Sequence, residues 1–434
     1  MSSGRSFDLT AGLVLSVLGS VLVLLPENIY DLILNLALFI GFFNTIYQLV
    51  QYILKKNLSD LLFGLLSLAF VVILSRWQEL PEWFIRVMFG TYLLCSAVVT
   101  GIQLVLDVED SYLSRIAGLL FLTAVYGALG FVLLFSPDLD TTILMQLFGI
   151  YFVVMGIRFF MNALPGGGKN YHWKRGRRIM LPPAISAILP DWFLQHINET
   201  MKKGEPVILH EQKTSRKPQL QVMVHVGPKG FQKIGHISFA YKGVVYSYGN
   251  YDSDSFRLNG TIGDGVFFNL AAEDYIPNML QVEKNTIFEF GILLDAEQEQ
   301  AVEAELAKMR NNSYRWYTKI ERSDGYDRFS QFEADYPSRL HYRSGAKMYK
   351  FKGGKFRTYW ALGDNCAAFT DVVLGALGAD VLNIRGIISP GTYLDFLQTE
   401  YLRPNSPVVT RTIHTLADGS AMSSDAFGKP DRPC

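Results

Sequence analysis

Cysteine is scarce, with three in 434 residues: Cys95, Cys366 and Cys434. No zinc-like cysteine spacing exists and Cys95 lies inside an apolar run, so no disulfide framework and no metal site are expected. An excess of either charge is also missing, since 40 Lys and Arg balance 40 Asp and Glu. Net charge therefore points to no partner; neither a nucleic acid nor a cofactor is expected. Charged residues are sparse up to Leu164 and common after Pro165. Two solvents, lipid and then water, account for that shift. No small-x-small cleavage site precedes Pro26-Glu27-Asn28, so the apolar run from Leu9 to Leu25 reads as an arm of a helical hairpin, not a cleaved signal.

Six apolar segments, at 8–25, 29–53, 60–76, 82–106, 114–136 and 141–163, approach the roughly 20 residues that cross a bilayer. The links between them are short and polar, which makes neighbouring helices antiparallel. An internal repeat runs through them. The even segments carry Gly41-Phe42-Phe43, Gly90-Thr91-Tyr92 and Gly149-Ile150-Tyr151; the odd ones carry Gly12, Gly19, Gly64, Gly118, Gly127 and Gly130. Three hairpins whose small residues allow close helix approach are expected. On these glycine-bearing repeats the first 160 residues resemble the HdeD-like acid-resistance membrane proteins. That resemblance implies a six-helix membrane protein and no defined reaction.

Lysine and arginine placement sets the orientation. One side carries Arg5, Lys55, Lys56, Arg115, Arg158 and the run from Lys169 to Arg178; the other carries Arg76 with Glu27, Glu79, Asp138 and Asp140. The first side should be cytoplasmic, in an inner (plasma) membrane, with the bilayer itself as a partner. Arg86 lies one turn after Glu82 and reads as an interfacial arginine paired with it. Residues 165–205 read as a basic juxtamembrane linker beside anionic headgroups.

Residues 206–403 read as an α+β domain. Leu220 to Val226 alternates, Ile234 to Tyr248 reads as a hairpin around Lys242-Gly243, and Thr286 to Leu294 is a further strand before a helix capped by Asp295. Asn259-Gly260 and Gly263-Asp264-Gly265 read as turns. Asp364 or Asn365 can cap a helix that starts at Cys366. A helix N-terminus favours a thiolate, so a thiol pKa below the free value of about 8.5 is expected there. A thiolate nucleophile needs a base, and His236, mid-strand after Gly235, is the leading one. His210, His225, His341 and His414 compete.

Gly235-His236, the stretch from Tyr246 to Asp252, and Asn365-Cys366-x-x-Phe369 resemble the circularly permuted papain-like fold, in which histidine precedes cysteine. Lecithin:retinol acyltransferase-like enzymes and permuted NlpC-type peptidases share it. The resemblance spans roughly 220–400 and implies Cys366 as nucleophile and His236 as base. Where the acyltransferase-like group has a second histidine this chain has Tyr248, and the loop from Ser323 to Gly354 is extra.

Hairpin parity leaves the third residue open. With a two-residue turn Ser238 faces Ser247, and Tyr248 turns away from His236; with a three-residue turn Tyr248 lies opposite it. Tyr248 and Asn250 stand as equal alternatives to orient the imidazole. Residues 404–434 read as a polar tail. The expected whole is a multi-domain membrane protein: an all-α six-helix bundle at 1–164, then the papain-like domain. It would act as a tethered cysteine hydrolase or acyltransferase on an ester, thioester or amide of a lipid or peptide. The alternative is a non-enzymatic membrane stress or scaffold protein.

Overall fold

The computed structural model describes residues 3–136, 141–163, 192, 195, 210–227, 234–379 and 389–415. The basic run expected from Lys169 to Arg178 lies outside the described residues. The chain divides into two units, Met1–Val98 with Leu122–Pro165 and Val99–Phe121 with Gly166–Cys434. The second unit thus claims the turn between the fourth and fifth helices, which the sequence reading had kept with the first 164 residues.

Among the described residues the N-terminal region is helical, with α1 (Ser3–Leu24), α2 (Pro26–Lys55), α3 (Leu58–Arg76), α4 (Leu80–Glu109), α5 (Ile116–Phe135) and α6 (Thr141–Ala163). Local signals bound them. Pro26 opens α2, where its missing N–H costs nothing, and Lys56 in the left-handed region closes it. Asn57 then caps α3 by accepting from the Ser59 amide at 3.2 Å. Four spans among the described residues are long and apolar enough to cross a membrane: α2, α3, α4, and α5 with its preceding turn from Leu113. The apolar parts of α1 and α6, Leu9–Leu24 and Thr142–Ile157, are shorter. A helical region of this kind is compatible with a membrane protein.

The repeated glycines close seams between helices of the first unit. A Cβ on Gly19 would fall 2.5 Å from the Gly149 carbonyl oxygen, and one on Gly149 2.6 Å from that of Gly19. A Cβ on Gly130 would lie 2.9 Å from the Leu94 nitrogen. These seams join α1 to α6 and α4 to α5, and Gly41 against Val71 joins α2 to α3. The expected pairing was within hairpins α1–α2, α3–α4 and α5–α6; the small residues instead join helices across those hairpins. Arg86 Nε lies 3.7 Å from Glu82, as expected, and its Nη1 donates to the Ser136 carbonyl at 3.3 Å.

The second unit is built on strands β1 (His210–Gln212), β2 (Leu220–Val226), β3 (His236–Tyr241), β4 (Val244–Gly249), β5 (Ile262–Asp264), β6 (Val266–Ala271), β7 (Thr286–Ile292), β8 (Ser313–Trp316), β9 (Lys347–Phe351), β10 (Thr358–Trp360) and β11 (Val408–His414). Nine form one antiparallel sheet in the order β1-β11-β7-β2-β3-β4-β6-β9-β8; β5 and β10 pair separately. The helices are α7 (Ala272–Gln281), α8 (Ala296–Asn311), α9 (Lys319–Arg322), α10 (Tyr336–Ser344), α11 (Cys366–Ala376) and α12 (Pro390–Leu402). Strand alternation sorts side chains onto two faces. Ile237, Phe239, Phe288 and Phe290 join α8, α11 and α12 in one core, whereas Met223, Ala240 and Ile287 join α7 and α10 in another. The unit is a three-layer α+β domain.

Three expectations change. The tail expected from Pro404 begins with β11, which lies between β1 and β7, because Val408 and Val409 supply buried positions. The stretch from Ser323 to Gly354 is not a loop: it holds α10 and β9, and β9 pairs with β6. Gly263 lies in β5, not in a turn. A Cβ there would strike Asn250 Oδ1 at 2.1 Å, so glycine serves close approach.

Candidate functional site

Asn365 begins α11. Its Oδ1 accepts from the Ala367 and Ala368 amides at 2.9 and 3.1 Å, so Cys366 is the first helical residue. Phe369, one turn on, packs into the core and fixes the helix against the sheet. The β3–β4 register ends at Ser238 opposite Ser247. Beyond it, the backbone amides of Ile237, Ala367 and Cys366 itself lie near enough to the Cys366 thiol to draw its pKa down. These donors favour a thiolate. Burial outweighs them: Cys366 is 5% exposed, and its thiol is pushed up to about 11. The expectation of a lowered pKa fails because the helix terminus is enclosed.

His236 Nε2 lies 2.8 Å from Ser247 Oγ and 3.2 Å from Tyr251 Oη, and those two oxygens are 3.0 Å apart. The three groups close a triangle around one ring nitrogen, while Nδ1 makes no hydrogen bond among the described residues. The residue is partly exposed, but its ring is densely surrounded, and burial lowers its pKa to about 4. At neutral pH the imidazole is uncharged and the thiol protonated.

The two-residue turn at Lys242-Gly243 is the one that forms, with φ of 48° and 84°. Tyr248 therefore faces the α11 side, where its hydroxyl donates to the Phe356 carbonyl at 3.1 Å. Asn250 Nδ2 donates to the Gly260 carbonyl at 2.8 Å. Neither orients His236; Ser247 and Tyr251 do. Ser247 was recoverable from parity alone, as the residue paired with Ser238. Tyr251 gave no such signal, because it lies beyond the strand.

Alternation also separates the two principal residues. His236 shares its face with Ser238 and Ala240, the α7 side, while Cys366 reaches the Ile237 amide from the α11 side. Thiol and imidazole flank the His236–Ile237 peptide, and among the described residues no hydrogen bond joins them. The competing histidines are engaged elsewhere. His225 repeats the pattern next door, with Nε2 at 2.8 Å from Ser238 and 3.4 Å from Tyr275, and its pKa is far lowered by burial. His210 meets Thr412, His341 meets Ala346 and Tyr326, and His414 meets Glu289. No cluster of three or more potential metal ligands occurs among the described residues.

No family model matches the sequence, no curated protein matches it, and no solved structure matches the fold. The chemistry rests on the residues themselves.

A pH dependence follows from the His236 shift. Between its unfolded value of about 6.5 and its folded value of about 4, the unfolded chain binds the extra proton. Stability from this group is full above pH 6.5 and lost as pH falls toward 4. At ~1.4 kcal/mol per pH unit the expected loss is on the order of 2–3 kcal/mol. Denaturation midpoints in detergent at pH 7 and 4.5 should therefore differ more for the native protein than for His236→Asn. Equal slopes would contradict the neutral, enclosed imidazole.

Proposed function

We propose that this protein is a thiol hydrolase or acyltransferase tethered to the membrane, with Cys366 as nucleophile and His236 as proton acceptor and donor. The observation that carries the proposal is the place of Cys366 as first residue of α11, capped by Asn365, with the Ile237, Ala367 and Cys366 amides drawing its pKa down against burial. Ile237 directly follows His236. The domain would be a permuted papain-like one, behind a six-helix bundle in the inner membrane and facing the cytoplasm, as the lysine and arginine asymmetry suggests. A cytoplasmic site disfavours cell-wall peptides and leaves ester, thioester or amide groups of lipids and peptides.

In this reading a rearrangement of the start of β3, where His236 is the first residue, brings the imidazole off Ser247 to the thiol, whose proton it takes on a ring nitrogen. Sγ bonds to the carbonyl carbon as the carbonyl oxygen gains charge beside the backbone amides. Collapse breaks the bond to the leaving group, which takes the proton from His236. Water or an acceptor then attacks the acyl-enzyme and gives its proton to His236; collapse breaks the C–S bond, releases the acid or the acylated acceptor, and Sγ takes the proton back from His236. The buried thiol at about 11 and the neutral imidazole describe a resting state that substrate must open.

A second reading has its own support. Strand alternation sends the imidazole away from α11, which fits a binding or scaffold domain whose cysteine is a small core residue. Purified full-length protein in micelles, given short- and long-chain p-nitrophenyl esters and acyl thioesters, separates the two. The enzyme reading expects release that Cys366→Ser abolishes and His236→Ala slows about 10²- to 10⁴-fold. Release indifferent to Cys366→Ser, or none from any probe, favours the scaffold.

A further inference from the structure

We infer that the turn between α4 and α5 is the positioning device of the nucleophile loop, with Gln103, Asp107, Asp110 and Arg115 gripping the segment that delivers Cys366 to α11. All of these residues belong to the second unit. The consequence for catalysis rests on the thiol reading above; the grip itself does not.

The grip has two ends. At the downstream end, Arg115 Nη1 donates to both oxygens of Asp364, at 3.0 and 2.8 Å. Gln103 reads the same residue twice: its Nε2 donates to Asp364 Oδ2 at 3.1 Å, and its Oε1 accepts from the Asp364 amide at 3.3 Å. Asp107 backs both, accepting from Gln103 Nε2 at 2.7 Å and lying 3.5 Å from Arg115 Nε. At the upstream end, Asp110 accepts from the Thr358 amide and hydroxyl, each at 3.1 Å, and its carbonyl accepts from the Gly354 amide at 3.0 Å. Arg357 reaches the Glu109 carbonyl at 3.3 Å.

Between those ends the loop has no slack. A Cβ on Gly363 would stand 2.0 Å from Gln103 Oε1, so only glycine lets the glutamine close on Asp364. Asp364 is next to Asn365, whose side chain fixes the first turn of α11, and Cys366 follows. Asp364 caps nothing; its buried carboxylate is spent on the α4–α5 turn. Arg115 and Gln103 are positioning residues, acting on Cys366 through Asp364 and Asn365.

Alkylation tests this without needing turnover, so an inactive protein still reports. Full-length protein carrying Cys95→Ser and Cys434→Ser is treated with iodoacetamide in micelles, and Cys366 labelling is followed by mass spectrometry. Arg115→Gln and Gly363→Ala attack the grip from its two sides. A parallel series carries Val373→Cys with Cys366→Ser, which reports opening of the same helix away from the loop, since Val373 is fully buried. Both variants should label Cys366 on the order of tenfold faster while the Val373→Cys rate stays level, and Arg115→Lys should restore most of the protection. Equal acceleration at both sites would mean general loosening and overturn the inference. So would unchanged Cys366 labelling, or an effect of only one of the two variants. Failure of the enzyme reading is registered separately, by ester cleavage.

Discussion

Phe369→Ala should cost about 3–5 kcal/mol, the range for emptying a large aromatic site in a packed core. The ring lies at the centre of an aromatic cluster. It stacks on Tyr248 at 5.0 Å between centroids and on Phe239 at 6.0 Å, and it meets Phe356 edge-on at 5.3 Å. Phe267 and Phe351 lie at 6.1 and 6.3 Å. Most of these neighbours sit on strands, which do not collapse into a void easily. Phe369→Leu should cost roughly half as much, because it keeps much of the volume. Chemical denaturation in micelles followed by near-ultraviolet circular dichroism would measure both. A loss below about 1 kcal/mol for the alanine variant would mean that this cluster is not the core that seats α11. The same substitution should loosen the first turn of the helix, since Phe369 is its nearest deep anchor to Cys366.

Breaking the Arg115–Asp364 pair should have an effect of similar size, with a distinctive pattern. The side chains are 17% and 5% exposed, and Arg115 Nη1 donates to both carboxylate oxygens. Asp364→Leu leaves the guanidinium beside Asp107 without its main partner, and Arg115→Met leaves two carboxylates, Asp364 and Asp107, in one enclosed place. Each should lose about 3–5 kcal/mol, because an uncompensated buried charge remains. The double variant should lose much less than the sum, since apolar side chains of similar volume replace both charges. A double-mutant cycle on denaturation midpoints measures the difference. Additive losses would mean that the two charges act on other partners and not on each other.

Several features were legible because short-range physical chemistry fixes them. The long apolar runs read as helices, the form in which such a run satisfies its own backbone groups. The hairpin around Lys242-Gly243 was legible as a turn, though its length was not; the two-residue form, with φ positive at both positions, places Ser238 opposite Ser247. Asp295 with Gln298 wrote its own capping box, and Asn365 wrote the start of α11. Candidate residues Cys366 and His236 could be named from a helix N-terminus and a strand.

What tertiary structure decided is the environment of those residues. Whether a helix N-terminus lowers a thiol pKa depends on exposure, and α11 begins inside a core. Which glycine meets which helix is not written in their period, so Gly19 found Gly149 in α6 and not a partner in its own hairpin. The tail hid β11, because a strand between two neighbours is stabilised by pairs distant in sequence. Above all, Asp364 looked like a helix cap, one bond from the cysteine. Only the fold brought Gln103 and Arg115 to it from some 250 residues away. Long-range ion pairs leave no local signal, because charge acts through distance in space and not along the chain.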